Sequence, residues 1–168
     1  MKSTFDAIVS WFIPEEIHTQ WNLFRRARII VLFGLISQLF FTFTGLKWLR
    51  MDQGDRFLNV ILTQLFILLI TFSFRFTKSM ALTGNLLLAT LFVYFNIYIY
   101  LTGGINSSAM PWLLMFPIVT IIMVEPRMIA AWLVILLVDF FLLRSWTLSG
   151  EVGDVLALSA EEMVTFRA

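Results

Sequence analysis

Long apolar runs dominate this sequence and leave it few ways to fold. Spanning the hydrocarbon of a bilayer takes about 20 mainly apolar residues in a helix. Five stretches meet or approach that length: Ile29–Trp48, Phe57–Phe74, Met80–Leu101, Ile105–Val124 and Met128–Thr147. None alternates strictly with period two, which argues against strands of a barrel. Of the 168 residues, 60% are hydrophobic and only 14% charged, with a mean hydropathy of +0.88. A soluble domain of this size would be about a quarter charged and could not hide so much apolar surface. The expected fold is all-α: a polytopic transmembrane helix bundle, with the lipid bilayer as its main partner.

The connections are short. Asp52-Gln53-Gly54-Asp55, Phe76–Ser79, Thr102-Gly103-Gly104 and Glu125-Pro126-Arg127 separate the runs. Helices joined this tightly are antiparallel neighbours. Lys and Arg near the helix ends set orientation. With the N-terminus inside, seven fall on the inner side and five on the outer. Arg25, Arg26 and Arg28, just before the first run, decide for a cytoplasmic N-terminus.

Residues 1–28 read as a cytoplasmic, interfacial segment. Trp11 and Trp21 suit the headgroup layer, and Pro14-Glu15-Glu16 predicts the start of a helix that runs through the arginines into the membrane. Residues 149–168 read as an outer loop. There Ser159-Ala160-Glu161-Glu162 forms a capping box that predicts the start of a sixth, truncated helix. The expectation is therefore five complete helices plus the beginning of another.

Several function classes fall away. The net charge of +1 offers no nucleic-acid footprint. There is no Cys and one His, His18, so Cys-based and multi-His metal sites are excluded. No nucleophile elbow, phosphate loop or kinase signature occurs. No cofactor and no enzymatic activity of this chain are expected.

The candidate ligand-binding residues are Tyr98, Tyr100, Asn106, Trp112 and Asp139. Asp139 lies midway along the fifth run, in Leu136-Leu137-Val138-Asp139-Phe140-Phe141. A carboxylate there costs about 2.5–3.5 kcal/mol on insertion scales, so it must face protein or water. It reads as a ligand contact, proton site or signalling pivot, or else as interhelical glue. Arg144, about 140° further around the helix, points away from it. Tyr94, Asn96, Tyr98 and Tyr100 crowd the outer half of the third run, as a pocket wall or as interfacial tyrosines with one interhelical bond. The uncharged stretch from Thr102 to Trp112, with two glycines and Pro111, reads as a re-entrant turn roofing a pocket, or as a plain capped loop. Gln38 and Gln64 read as interhelical hydrogen-bonding groups, and Gly34 as a point of close helix approach.

The segment TGGINSSAMPWLLMFPIV, from Thr102 to Val119, resembles the Thr-Gly-Gly-Ile-x-Ser-(Pro/Ser)-x-x-x-Trp-x-x-x-x-Pro stretch of six-helix membrane sensor modules. These stand at the N-terminus of bacterial histidine kinases and some nucleotide cyclases. The basic entry at Arg25–Arg28 and the helix spacing extend the likeness over most of the chain. The resemblance implies a homodimeric input domain of two-component signal transduction in the inner (plasma) membrane, with the catalytic output elsewhere; the expected mechanism is a shift between two packings of the bundle, biased by a small apolar ligand or a membrane property. His18 lacks the His-Glu-x-x-x-Pro context of a phosphoacceptor. The competing readings are a small transporter or channel subunit, the membrane anchor of a nucleotide cyclase, or a purely structural anchor.

Overall fold

The computed structural model describes residues 4–149, and among them there are helices and turns but no strand. The predicted capping box at Ser159–Glu162 lies outside the described residues. The helices are α1 Thr4–Phe12, α2 Trp21–Arg50, α3 Gly54–Thr77, α4 Met80–Leu101, α5 Met110–Leu114, α6 Phe116–Met123 and α7 Pro126–Ser149, with single 3-10 turns at Glu15–Ile17 and Gly104–Asn106. Four of them, α2, α3, α4 and α7, are long and apolar enough to cross a membrane. The chain divides into two compact units, Met1–Leu91 and Phe92–Ala168.

The first unit is built on an α2–α3 hairpin. The turn works because Asp52 takes a left-handed φ of 54° and the Gln53 N–H returns to the Trp48 carbonyl at 3.1 Å. Trp48 is buried at its base, with the Arg56 guanidinium over its ring at 4.8 Å. Ala27, Val31, Gly34, Phe41, Gly45 and Trp48 form the buried stripe of α2, spaced three, four or seven residues apart. Val60, Thr63, Ile67, Thr71 and Phe74 answer it on α3.

Two features fix their register. A Cβ on Gly34 would stand 2.3 Å from Thr71 Oγ1, so the helices touch there through a missing side chain. About one turn further along α2, Gln38 Nε2 donates to the Gln64 carbonyl at 3.3 Å. Gln64 Nε2 donates to Thr42 Oγ1 at 2.9 Å and to the Gln38 carbonyl at 3.4 Å. Amides that would each cost free energy in hydrocarbon thus satisfy one another, as their apolar surroundings require.

The N-terminal segment differs from expectation. The helix predicted to start at Pro14-Glu15-Glu16 is only one 3-10 turn, and α2 begins at Trp21. The physical reason is a competing core: Val9, Ile13 and Ile17 bury themselves against Ala27, Val31 and Phe74, which folds the segment back over the hairpin. Three cations at the hairpin's open end then find partners. Arg28 pairs with Asp6 at 2.5 Å, Lys78 with Glu16, and Arg75 covers the Trp11 ring at 4.7 Å while donating to the Trp11 carbonyl.

The hydrogen bond from Lys78 holds the Glu16 carboxyl below the usual Glu range. A depressed folded value means the contribution is full at neutral pH and fades only as pH falls through it. Because the pair is exposed, its effect is small. Proteolysis between α1 and α2 is therefore expected to stay constant from pH 8 to 5 and to rise only at more acidic pH. A rise already at pH 6 would show that another group controls the docking.

In the second unit, the C-terminal part of α4 packs with α5, α6 and α7. Phe92 meets Trp132 at 6.0 Å, the Asn96 side chain lies beside the Asp139 carboxyl group, and Tyr100 meets Trp146 at 5.9 Å. Both numbers rise together, so these two helices run parallel. Phe95 faces Trp112 and Phe92 faces Phe116, so α5 and α6 run antiparallel to α4.

The fourth predicted helix, Ile105–Val124, is broken. A 3-10 turn, α5 and α6 replace it, with the joint at Met115. Pro111 and Pro117 sit in the first turns of α5 and α6, where their missing N–H costs nothing, but Pro117 cannot continue α5's ladder. The other four runs gain a turn or less at most ends, the exception being α2, which starts eight residues earlier than Ile29.

Candidate functional site

The Thr102–Ser107 turn is irregular backbone held by a dense set of hydrogen bonds. Gly103 and Gly104 take φ of 111° and 60°, values a side chain would strain. They reverse the chain so sharply that Ser107 returns beneath the end of α4. Thr102 Oγ1 donates to the Tyr98 carbonyl at 2.7 Å and lies 2.5 Å from Ser107 Oγ. Since the Thr102 proton is committed, Ser107 is the donor between them. Ser107 Oγ in turn accepts the Ala109 N–H at 3.1 Å. The result is a one-way chain from Ala109 N–H to the Tyr98 carbonyl, with every hydroxyl used as donor and acceptor.

This turn is tied to α7. The Ile105 N–H donates to Thr147 Oγ1 at 3.0 Å, and that hydroxyl donates to the Leu143 carbonyl at 2.7 Å. Below this latch runs the α4–α7 seam. Its α7 side is a stripe of Trp132, Leu136, Asp139, Leu143 and Trp146, spaced four and three alternately. The middle rung is polar: Asn96 meets Asp139 between two aromatic rungs. Asn96 Nδ2 also donates to the Phe92 carbonyl at 3.0 Å, whereas Asp139 Oδ2 is buried with no hydrogen-bond partner.

The five predicted residues are distributed around α4. Tyr100 and Asp139 belong to the seam. Trp112 stacks on Phe95 at 6.2 Å, on the α5 side, and is half exposed. Tyr98 pairs with Tyr94 at 6.2 Å, on a side about 200° from Asn96. Asn106 is exposed in the 3-10 turn. The structure thus joins Tyr100 to Asp139 through one seam, places Tyr98 on another face of α4 and packs Trp112, from α5, against Phe95. Three residues of the site went unread in the sequence: Thr147, Trp132 and Trp146. The last two stand seven residues either side of Asp139, and that heptad spacing was the available signal.

Comparison of the chain with protein-family models, with curated proteins and with solved structures finds no match. The described fold and seam define an all-helical protein with four helices of membrane-spanning length and apolarity. Among the described residues no group of three or more His, Cys, Asp or Glu is placed to hold a metal ion.

Proposed function

We propose that the chain is the membrane sensor or anchor module of a bacterial signalling receptor of the histidine-kinase kind. It would sit in the inner membrane as a homodimer with a cytoplasmic N-terminus, its output domain carried elsewhere. The observation that carries this reading is the latch. The glycine-bent outer turn is hydrogen-bonded to the far end of α7, so any ligand or membrane property that moves the turn acts directly on that helix.

A fifth crossing, between α4 and α7, fits the same reading. Helices α4 and α7 run parallel, so the chain must recross the membrane between them. Only Met110–Met123 is available for this, at about 1.5 Å per residue. That gives roughly 21 Å against a core of about 30 Å, and the Gly104–Asn106 turn supplies part of the difference. The polar rung at Asn96 and Asp139 gives the seam a specific register. A two-state receptor shifts between two such packings, and a small apolar ligand near Tyr100 would favour one of them.

A chimera tests this, with the chain joined through a neutral sixth helix to a histidine-kinase catalytic region. Thr147→Val deletes the acceptor of the Ile105 N–H and is expected to change basal phosphorylation at least threefold without lowering membrane insertion. Unchanged output would remove the latch from signalling. The unpartnered Asp139 oxygen favours a second reading, a small transporter or channel subunit. Substrate-dependent flux in liposomes containing this chain alone would select it.

A further inference from the structure

We infer that the cleft between the N-terminal segment and the first turns of α2 binds the headgroup of a zwitterionic phospholipid. The cleft encloses about 430 Å³. That is the lower part of the range, about 300–1,000 Å³, occupied by small-molecule sites. Its walls include Asp6 and Val9 from α1, His18 from the connection, and Trp21, Phe24 and Arg28 from α2.

The charge pattern selects the ligand. The lining carries one carboxylate and one guanidinium, so a polyanion would find no net attraction. Arg28 spends one Nη2 contact on Asp6 Oδ1 at 2.5 Å, and its side chain is 42% exposed. A guanidinium has five N–H donors in a planar fork, so a phosphate can be bound on the donors that Asp6 does not use. The exposed His18 ring stands edge-on to Phe24 at 4.9 Å and offers a further donor at the same wall. A tethered ammonium then falls to Asp6 and to the face of Trp21, an indole left 71% exposed. The buried Val9 and half-buried Phe24 provide the apolar floor that a glycerol backbone needs.

Position identifies the source of this phosphate ester. Trp21 is the first residue of the first membrane-length helix, and α1 packs on both α2 and α3. The cleft therefore opens where a bilayer presents its headgroups, the layer in which exposed Trp concentrates. Asp6, by closing on Arg28 from α1, also makes the docking of the N-terminal segment part of the binding site.

The test uses the whole chain in micelles, with native mass spectrometry reading retention of phosphatidylethanolamine against phosphatidylglycerol of identical acyl chains. The ethanolamine lipid is expected to be retained at least fivefold better. Arg28→Gln should lower retention of both lipids at least fivefold, and Asp6→Asn should abolish the preference between them. Both variants also weaken the docking of α1, so Trp21→Ala is decisive: its exposed ring is expected to leave helicity unchanged while ethanolamine-lipid retention falls at least threefold. Equal retention of the two lipids, or wild-type retention by Trp21→Ala, would overturn the proposal. So would displacement of the lipid by equimolar soluble phosphoethanolamine, which would make a free ester the ligand.

Discussion

Gly34→Ala is expected to loosen the α2–α3 hairpin, and Thr71→Ala in the same chain is expected to restore it. The added methyl would stand 2.3 Å from Thr71 Oγ1 and 3.2 Å from its Cγ2. The hydroxyl cannot simply swing aside, because it donates to the Ile67 carbonyl at 2.8 Å and is buried. The helices must separate or the Thr71 rotamer must break. Overpacking of this kind costs about 1–3 kcal/mol. Replacing glycine in a helix returns roughly 0.5–1 kcal/mol of backbone entropy, so the clash wins. Truncating Thr71 removes both clashing atoms and leaves only its Cβ, at 3.3 Å. Unfolding midpoints in mixed detergent would measure this. A midpoint unchanged in Gly34→Ala would mean that the helices are not held at this separation.

Asp139→Leu should do the opposite: raise stability by about 1–3 kcal/mol, the desolvation penalty of a buried unpaired polar atom, and lock the output of a signalling chimera in one state. Asp139 Oδ2 is buried without a partner, so removing it leaves no hydrogen bond unmade on that side. Asn96 loses its carboxyl neighbour yet keeps the Phe92 carbonyl. If Asp139 were only glue between α4 and α7, the same change would destabilise the chain. The two roles therefore predict opposite signs in one unfolding experiment. Asp139→Asn retains a polar side chain beside Asn96 and separates the loss of charge from the loss of the polar rung.

Much of the helix pattern was legible because lipid is an unforgiving solvent. A backbone that must satisfy its own hydrogen bonds in hydrocarbon becomes helix wherever the apolar run is long enough. The chain therefore shows α2, α3, α4 and α7 directly in its sequence. The punctuation is also local: left-handed Asp52 and Lys78, and the Gly103-Gly104 pair, stop helices for reasons held within a few residues. Gln38 and Gln64 were readable as interhelical groups for the same reason, since an amide in an apolar helix has to find a partner on a neighbour.

Partner choice was a different matter. Helix α4 is apolar on nearly every side, so no periodicity announced that Asn96 and Tyr100 face α7 while Phe95 faces α5. Tyr98 and Trp112 therefore looked like neighbours of Asp139 in the sequence, whereas in the fold Tyr98 stands on another face of α4 and Trp112, on α5, packs against Phe95. The break at Met115 needed both prolines read against the packing of α5 and α6. The N-terminal fold-back joins Trp11 to Arg75 and Glu16 to Lys78 across more than sixty residues, which only the placement of Val9, Ile13 and Ile17 in a shared core could decide. The sequence by itself determined where the chain is helical and that those helices need an apolar solvent, because both follow from local hydrogen bonding and transfer free energy. The tertiary structure decided which faces meet, because in lipid every face of an apolar helix is acceptable until close packing and a few polar contacts choose among them.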